Sequence, residues 1–188
     1  AGAPRGRGAP GAWRTGGTAP GCGRPPWRRA ADPGGGVTSY LVRHAKAGDR
    51  SDWEGDDRLR PLSPAGERQA LALVDLLKDA GIQAVLSSPY RRCIQTVEPV
   101  ARQFGLSVEP EGSLAEGAGG DTLIQLIRRL SGRNAVLCTH GDVLEEFLEH
   151  LIRQGVVPGA RARLEKGSTW VVDEEGGRIV KARYLPPP

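Results

Sequence analysis

The chain has 188 residues and a formal net charge of +4, a length that fits one domain with a sizeable core. Six arginines and one acid give residues 1–36 a charge of +5, which leaves −1 for the rest, so the basic total does not indicate a nucleic-acid-binding domain. No apolar run approaches the roughly 18 residues of a membrane span, and three cysteines without metal spacing are typical of reduced thiols in the cytoplasm, where we expect the protein.

Residues 1–36 are rich in Gly, Pro and Arg and contain no large aliphatic side chain. Such a segment cannot bury enough apolar surface to offset its chain entropy, so we predict a disordered tail or the remnant of a linker. No apolar stretch of roughly 7–15 residues follows the arginines, so the segment does not match a secretory signal. We therefore expect one folded domain over residues 37–188.

The first half of this domain alternates strands with a helix. The apolar run Val37–His44 predicts a strand, and a polar loop follows over Ala45–Pro61. Ser63 precedes a proline and matches a helix N-cap, and apolar periodicity continues this helix to about Ala80. Ile82–Leu86 then predicts a second strand.

The second half continues the alternation and ends in a hairpin. The predicted elements, in order, are a helix over Pro89–Phe104, a strand over Leu106–Val108, a loop over Glu109–Gly120, a helix over Thr122–Leu130 with Asp121 as its N-cap, a strand over Asn134–Thr139, a helix over Asp142–Arg153, and paired strands over Thr169–Asp173 and Arg178–Tyr184. This order predicts an α/β three-layer sandwich, with a mainly parallel sheet, helices on both faces and a C-terminal edge hairpin.

Arginine and histidine side chains follow three of the predicted strands. Arg43 and His44 end the first strand, Arg92 lies just after the second, and His140 follows the strand that ends at Thr139. The carboxyl ends of parallel strands meet at the edge of the sheet where α/β proteins bind ligands. The sequence therefore predicts an anion-binding site that contains an imidazole nucleophile.

These residues lie in motifs that resemble those of the histidine phosphatase (phosphoglycerate mutase-like) superfamily. The matching segments are Arg43-His44-Ala45, Ser88-Pro89-Tyr90-Arg91-Arg92-Cys93-Ile94-Gln95-Thr96 and Cys138-Thr139-His140-Gly141. Within the superfamily the domain is most similar to the short SixA-type branch. Residues 56–62 and 165–170 further resemble the C-terminal histidine phosphatase domain of MutT-like Nudix proteins.

The resemblance implies a role for each of four residues. His44 is the expected nucleophile, which takes the phosphoryl group and releases it to water. Arg43 and Arg92 offer fork-shaped donors to the phosphoryl oxygens, and His140 is expected to donate a hydrogen bond to the same group. His44 must be neutral to attack, so we expect the nearby arginines to lower its pKa and its other ring nitrogen to donate to a backbone carbonyl.

The leaving oxygen needs a proton, and two acids are candidates for the donor. Glu116 matches the position where related enzymes carry their acid. Asp142 is the alternative, because another branch carries an acid directly after the second histidine, but Gly141 occupies that place here and Asp142 could instead cap its helix. Three cations are candidates for the substrate rim, each with a solvated or ion-paired alternative: Lys46, Arg60 (which could pair with Asp56 or Asp57) and Arg91.

These features predict a phosphohydrolase that needs no metal or other cofactor and works through a phosphohistidine on His44. The expected substrates are a phosphohistidine protein, another phosphoprotein, a nucleotide or a small phosphoester, with neither nucleic acid nor membrane as a partner. The histidines lack i, i+4 spacing, and no carboxylate cluster accompanies them. The sequence therefore does not indicate a metal site. The alternative hypothesis is a catalytically silent module that recognises phosphate.

Overall fold

The structure is a computed structural model that describes residues 37–158 and 163–188, together with Gly2. The predicted tail over residues 1–36 therefore lies, apart from Gly2, outside the described residues, and the boundary at residue 37 stays a prediction. In the described part of the chain, no helix combines the length and the apolarity needed to span a membrane.

Six strands and four α-helices alternate along the described residues. Their bounds are β1 (Val37–Arg43), α1 (Pro64–Leu77), β2 (Ala84–Ser87), α2 (Arg91–Gln103), β3 (Val108–Pro110), α3 (Gly120–Arg129), β4 (Ala135–Thr139), α4 (Gly141–Arg153), β5 (Thr169–Glu175) and β6 (Arg178–Leu185). Short 3-10 turns also occur at Asp57–Leu59 and Gly112–Leu114.

All six strands form one sheet in the order β3-β2-β4-β1-β5-β6. The strands β3, β2, β4 and β1 are parallel to one another, whereas β5 is antiparallel to β1 and β6 is antiparallel to β5. The prediction of a mainly parallel sheet with a C-terminal edge hairpin is confirmed. Because β1, β4 and β2 are neighbours and parallel, their carboxyl ends lie side by side.

The sheet separates two apolar layers, as alternating side chains on β1 show. Leu41 points to one face and packs in a cluster with Leu144 and Phe147 of α4 and with apolar residues of α3. Val42 points to the other face and packs with Leu73 of α1 and Val97 of α2. Helices therefore cover both faces, and the predicted three-layer sandwich is confirmed.

The beginning of α1 is tied to the loop that follows β1. Ser63 is the N-cap as predicted, and its Oγ accepts a hydrogen bond of 3.2 Å from the amide of Gly66. The amide of Ser63 also donates to the carbonyl of Lys46 at 3.0 Å. A Cβ on Gly66 would lie 1.9 Å from the Lys46 carbonyl oxygen, so only glycine allows this approach. The contact fixes the loop just beyond the end of β1.

The prediction that Asp121 is the N-cap of α3 is wrong. The helix begins at Gly120, and Gly119, with φ of 86°, is the N-cap residue without any side-chain hydrogen bond. The amide of Gly120 instead donates to Glu146 Oε2 of α4 at 2.8 Å, so the cap comes from a neighbouring helix. A Cβ on Gly120 would lie 2.5 Å from the amide nitrogen of Phe147, which explains why α3 begins with glycine.

Other boundaries differ from the predictions by a few residues. The third strand begins at Val108 rather than Leu106, because the Leu106 amide donates to the carbonyl of Ala101 and closes the C-terminus of α2. Likewise β2 begins at Ala84 and α2 at Arg91, while α1 ends at Leu77. None of these shifts moves a predicted site residue off its strand end.

Candidate active site

The carboxyl ends of β1, β2 and β4 bring the three histidine and arginine motifs together. Backbone hydrogen bonds hold these ends in register: the amide of His44 donates to Thr139 at 3.0 Å, and the amide of Ser88 donates to Cys138 at 2.9 Å. The rings of His44 and His140 lie edge to face, with their centroids 5.3 Å apart. Two imidazoles from different strands therefore share one site, as the strand order predicts.

His44 is buried, with 6% of its surface exposed, and presents one nitrogen without a protein partner. Its Nδ1 lies 2.8 Å from the carbonyl oxygen of Ala45, so Nδ1–H donates there and the Nε2 lone pair is left free. Burial, with nearby His140 and two arginines, lowers the pKa of His44 to about 3, although the bond to Ala45 opposes the shift. The imidazole is therefore neutral at ordinary pH, the form that can attack phosphorus.

The backbone after His44 is held by the threonine of the second motif. Thr96 Oγ1 accepts a hydrogen bond of 3.0 Å from the amide of Ala45 and donates to the carbonyl of Arg92 at 2.7 Å. One residue earlier, Gln95 Oε1 accepts from the amide of Leu62 at 2.9 Å. The Gln-Thr pair therefore links the backbone after His44, the helix that carries Arg92 and the loop before α1.

Arg43 is anchored by one end of its guanidinium and covers a glycine. Its Nη1 donates to the carbonyl of Leu164, while its Nε is buried without a hydrogen-bonding partner. A Cβ on Gly141 would lie 2.9 Å from Arg43 Cζ, so the glycine after His140 makes room for this side chain. Burial lowers the pKa of Arg43 from its ordinary value, against the opposing effect of nearby carboxylates.

Arg92 is almost completely buried, with 2% of its surface exposed. Its Nη1 donates to both the carbonyl and the carboxylate Oδ2 of Asp57, each at 2.9 Å. Its Nη2 donates to Glu116 Oε2 at 3.0 Å, and the ring of Tyr90 lies 4.6 Å from Cζ. As in Arg43, the Nε of Arg92 is buried without a partner.

Arg92, which is buried, and Arg43, which is half-buried, thus each have a buried Nε donor without an acceptor. A buried donor without a partner costs about 1–3 kcal/mol, and more when it is charged. In a planar guanidinium, Nε and one Nη form a side-on fork that matches two oxygens of a phosphoryl group. An anion placed between Arg43 and Arg92 would supply the missing acceptors.

His140 is held on both sides by the second motif. Its Nε2 lies 2.8 Å from Ser88 Oγ, and its Nδ1 lies 3.4 Å from Arg92 Nη2. The ring of Tyr90 contacts it edge to face, with centroids 4.7 Å apart. Since Arg92 can only donate, Nδ1 accepts and Nε2 carries the proton in this arrangement. The hydroxyl of Ser88 can also donate, which would let His140 carry its proton on Nδ1 instead.

The two candidate acids approach different arginines: Glu116 contacts Arg92, whereas the charge of Asp142 acts on Arg43. Glu116 pairs directly with Arg92 and approaches Arg50 Nη1 at 3.7 Å, and 36% of its side chain is exposed. Asp142 Oδ2 accepts a hydrogen bond of 2.7 Å from the amide of Gly117, so it stabilises the loop beside Glu116 instead of capping its own helix. Glu116 is the acid whose carboxylate reaches the buried arginine.

The three predicted rim cations are not brought together. Lys46 and Arg91 are exposed, and neither side chain forms a hydrogen bond or ion pair with another described residue. Arg60 is buried: its Nε donates to Asp57 Oδ1 at 2.8 Å and its Nη1 donates to the carbonyl of Gly48. Of the two ion pairs considered for Arg60, the structure contains the one with Asp57.

Sequence reasoning considered Asp57 only as an ion-pair partner of Arg60 and assigned no role at the site to Ser88 or Lys166. Asp57 contacts Arg92 and Arg60, and its position three residues before Arg60 was the available signal. Burial and the charges of nearby arginines lower the pKa of Lys166, which places it beside the site. The next residue, Gly167, donates its amide to the carbonyl of His44 at 3.2 Å, a long-range contact that no local pattern reveals.

Within residues 37–158 and 163–188, no group of three or more His, Cys, Asp or Glu side chains is arranged to hold a metal ion.

Comparison with known proteins places this site in a family. Residues 39–123 match the model of the histidine phosphatase superfamily (branch 1). Over 156 residues the chain is 36% identical to an 8-oxo-(d)GTP phosphatase of Mycolicibacterium smegmatis, covering 80% of this chain and 48% of that protein. The chain belongs to the histidine phosphatase superfamily. The predicted resemblance to this superfamily is therefore confirmed.

Further similarities support the same branch. A protein of Agrobacterium tumefaciens assigned as the phosphohistidine phosphatase SixA has a TM-score of 0.67 and 27% identity, covering 80% of this chain and 98% of its own. A protein of Shigella dysenteriae assigned as phosphoglycerate mutase GpmB is 32% identical over 82 residues, which are 41% of this chain and 36% of that protein. The chain spans about half the length, or less, of the curated relatives it matches. The narrower likeness to Nudix-linked domains stays a prediction.

Proposed function

We propose that this histidine phosphatase domain is a metal-independent phosphohydrolase that works through a phosphohistidine on His44. The observation that carries the proposal is the neutral imidazole of His44, with a free Nε2, near two arginines whose buried Nε donors lack acceptors. A tetrahedral phosphoryl group would satisfy both donors and present phosphorus to Nε2. Catalysis of phosphoryl transfer consists mainly of such positioning and cationic stabilisation.

The reaction has two balanced steps. In the first, His44 Nε2 forms a bond to phosphorus while the bond to the leaving group breaks, and Glu116 gives its proton to the leaving oxygen. In the second, water attacks the phosphohistidine, Glu116 takes the water's proton, and inorganic phosphate leaves with His44 restored. Arg43 and Arg92 stabilise the equatorial oxygens in both steps. When Ser88 donates to Nε2 of His140, that histidine carries its proton on Nδ1 and donates it in a hydrogen bond to one of these oxygens.

Two classes of substrate are supported by the relatives. The Mycolicibacterium smegmatis relative is named for 8-oxo-(d)GTP, and the Agrobacterium tumefaciens structure is assigned to phosphohistidine. The segment between β3 and α3 contains only a 3-10 turn at Gly112–Leu114. Such a short segment suits an open site, which accepts either a protein-borne phosphate or a nucleotide whose base stays outside. We therefore include phosphohistidine proteins, other phosphoproteins, nucleotides and small phosphoesters.

The mechanism is tested by trapping the intermediate. Rapid quench of the protein with a radiolabelled phosphomonoester, in the presence of a chelator, should yield an acid-labile phosphate on His44. His44→Ala should abolish both the label and turnover, whereas His150→Ala, in the third histidine of the chain, should affect neither. Turnover without a labelled histidine would contradict the covalent mechanism.

The substrate is tested by direct competition between the two classes. Initial rates with nucleoside di- and triphosphates, including oxidised guanine nucleotides, are compared with rates on a phosphohistidine protein under the same conditions. A large preference in kcat/KM for one class assigns the substrate. Tight binding of inorganic phosphate with no turnover of either class would instead favour the silent recognition module.

A further inference from the structure

The carboxylate of Asp57 lies between two buried arginines. Its Oδ2 accepts from Arg92 Nη1 at 2.9 Å, and its Oδ1 accepts from Arg60 Nε at 2.8 Å. The backbone carbonyl of Asp57 accepts from the same Nη1 at 2.9 Å. One residue therefore provides two acceptors for Arg92 and is itself held by Arg60.

These contacts restrict how the guanidinium of Arg92 can turn. The guanidinium is planar through delocalisation and turns as one rigid unit about the torsions of the side chain. With Nη1 held by two acceptors, such turning would break both hydrogen bonds. The donors that remain, Nε and Nη2, form the side-on fork of the same guanidinium. Nε has no partner, and Nη2 contacts Glu116 and His140, which are both proposed to act on the phosphoryl group.

The support beneath Asp57 is itself well ordered by local contacts. Asp57 begins a 3-10 turn, and the side chain of Asp56 caps this turn by accepting from the amide of Arg58 at 2.9 Å. Burial opposes the charged form of Asp57, but the hydrogen bond from Arg60 and the charges of both arginines hold its pKa below the ordinary value. Asp57 is thus a carboxylate that stays charged beside Arg92.

We propose that Asp57 is a positioning residue, which orients the guanidinium of Arg92 so that its Nε–Nη2 edge faces the phosphoryl group. Asp57 does not contact the substrate. Its carboxylate also engages Arg60, so that this second arginine does not compete with Arg92 for the anion. The inference rests on the proposed function for its kinetic consequences, whereas its effect on anion binding can be measured without turnover.

The first test measures binding of inorganic phosphate by calorimetry. Asp57→Asn keeps the size of the side chain but removes its charge and turns an amide donor toward one arginine. We expect the dissociation constant to rise on the order of tenfold to a hundredfold, as for a displaced catalytic group. Asp56→Asn is the matched control, because Asp56 caps the turn without contacting Arg92, and it should bind phosphate like the wild type.

The second test separates positioning from a general effect on folding. In an Arg92→Gln background, Asp57→Asn should weaken phosphate binding no further, because its effect passes through Arg92. Thermal unfolding of each variant checks that it is folded. Arg60→Gln provides a second route if Asp57→Asn unfolds: it removes the support of Oδ1 without touching Arg92 and should also weaken binding, though less. Equal weakening by Asp57→Asn in both backgrounds would overturn the inference.

The kinetic test distinguishes positioning from acid catalysis. Across aryl phosphates with leaving groups of different pKa, Asp57→Asn should lower kcat/KM by the same factor, because the oxygens that Arg92 binds do not include the leaving one. A larger loss for poor leaving groups would assign Asp57 as an acid and overturn the inference. If the wild type binds phosphate but has no activity, the proposed function fails, and the phosphate-binding test still decides whether Asp57 positions Arg92. If the wild type is active and Asp57→Asn binds and reacts normally, only the inference fails.

Discussion

At the scale of single residues, the site depends on an imidazole that its surroundings keep neutral. The pKa of His44 falls from 6.5 to about 3 on folding. Between these two values the unfolded chain binds a proton at His44 that the folded chain does not. The free energy of unfolding must therefore rise with pH between about 3 and 6.5. The stability that comes from keeping His44 neutral is present above pH 6.5 and is lost as the pH falls toward 3.

This linkage gives a test on the protein without substrate. The free energy of unfolding should fall as pH decreases from 7.5 to 5, and His44 should account for up to about 1.4 kcal/mol per pH unit below 6.5. Urea unfolding of the wild type and of His44→Asn at each pH gives the difference that belongs to His44. His150→Asn is the comparison variant, because it also removes a histidine, but one whose side chain is partly exposed. If the free energy of unfolding depends on pH in the same way for the wild type and for His44→Asn, the lowered pKa of His44 is contradicted.

The role of Glu116 is tested by its dependence on the leaving group. Glu116→Gln should slow esters with poor leaving groups by roughly 10²–10⁴-fold and affect activated aryl esters far less, because only poor leaving groups need the proton. Phosphohistidine substrates should be insensitive, since imidazole leaves readily. Asp142→Asn is the control, because it keeps an oxygen for the amide of Gly117. Equal slowing of all esters by Glu116→Gln would show that the acid lies elsewhere, with Asp142 next.

At the scale of elements, the close crossing of α3 and α4 supports the strand end that carries His140. Gly120 allows this crossing, because a Cβ there would lie 2.5 Å from the backbone nitrogen of Phe147. The side chain of Glu146, one residue earlier in α4, also caps α3. The two helices therefore behave as one packed unit on this face of the sheet.

Gly120→Ala should consequently destabilise the fold. Neither backbone can move without repacking the core, so we expect a loss of about 1–3 kcal/mol in the free energy of unfolding, as for an overpacked interior. Urea unfolding measures the loss. Gly112→Ala is the matched control, since nothing lies within 4 Å of the added Cβ, and it should change stability little. If Gly120→Ala and Gly112→Ala have the same free energy of unfolding, α3 and α4 can move apart at little cost in stability.

The features that could be predicted from the sequence are those that depend on residues close together in the chain. Apolar runs reveal β1 and β4, and the parallel order then brings His44 and His140 to one edge, so the centre of the site follows from the chain alone. Asp57 could not be assigned in this way, because its contact with Arg92 depends on how an irregular loop folds across α2. The cap of α3 by Glu146 was missed for the same reason: a side chain distant in sequence replaced the local candidate, Asp121.

At the scale of the whole molecule, the sheet combines a parallel half with an antiparallel half around β1. The parallel neighbours β4 and β2 lead into His140 and Arg92 of the proposed phosphate site, whereas β5 and β6 lie on the other side of β1. The loop before β5 also reaches the site, because Gly167 donates its amide to the carbonyls of Arg43 and His44. The segment leading into the C-terminal hairpin thus supports the backbone of Arg43 and His44, and the hairpin itself forms an edge of the sheet.

The pairing of β1 has a consequence for how the protein is made. Val42 of β1 pairs with Cys138 of β4 on one side and with Thr169 of β5 on the other. Of the six strands β1 is synthesised first, and it cannot pair fully until β4 and β5 have been synthesised. A nascent chain that ends before residue 169 leaves this strand with a bare edge, open to pairing with other chains. On the ribosome, therefore, the nucleophile can reach its working environment only when translation of the domain is almost complete.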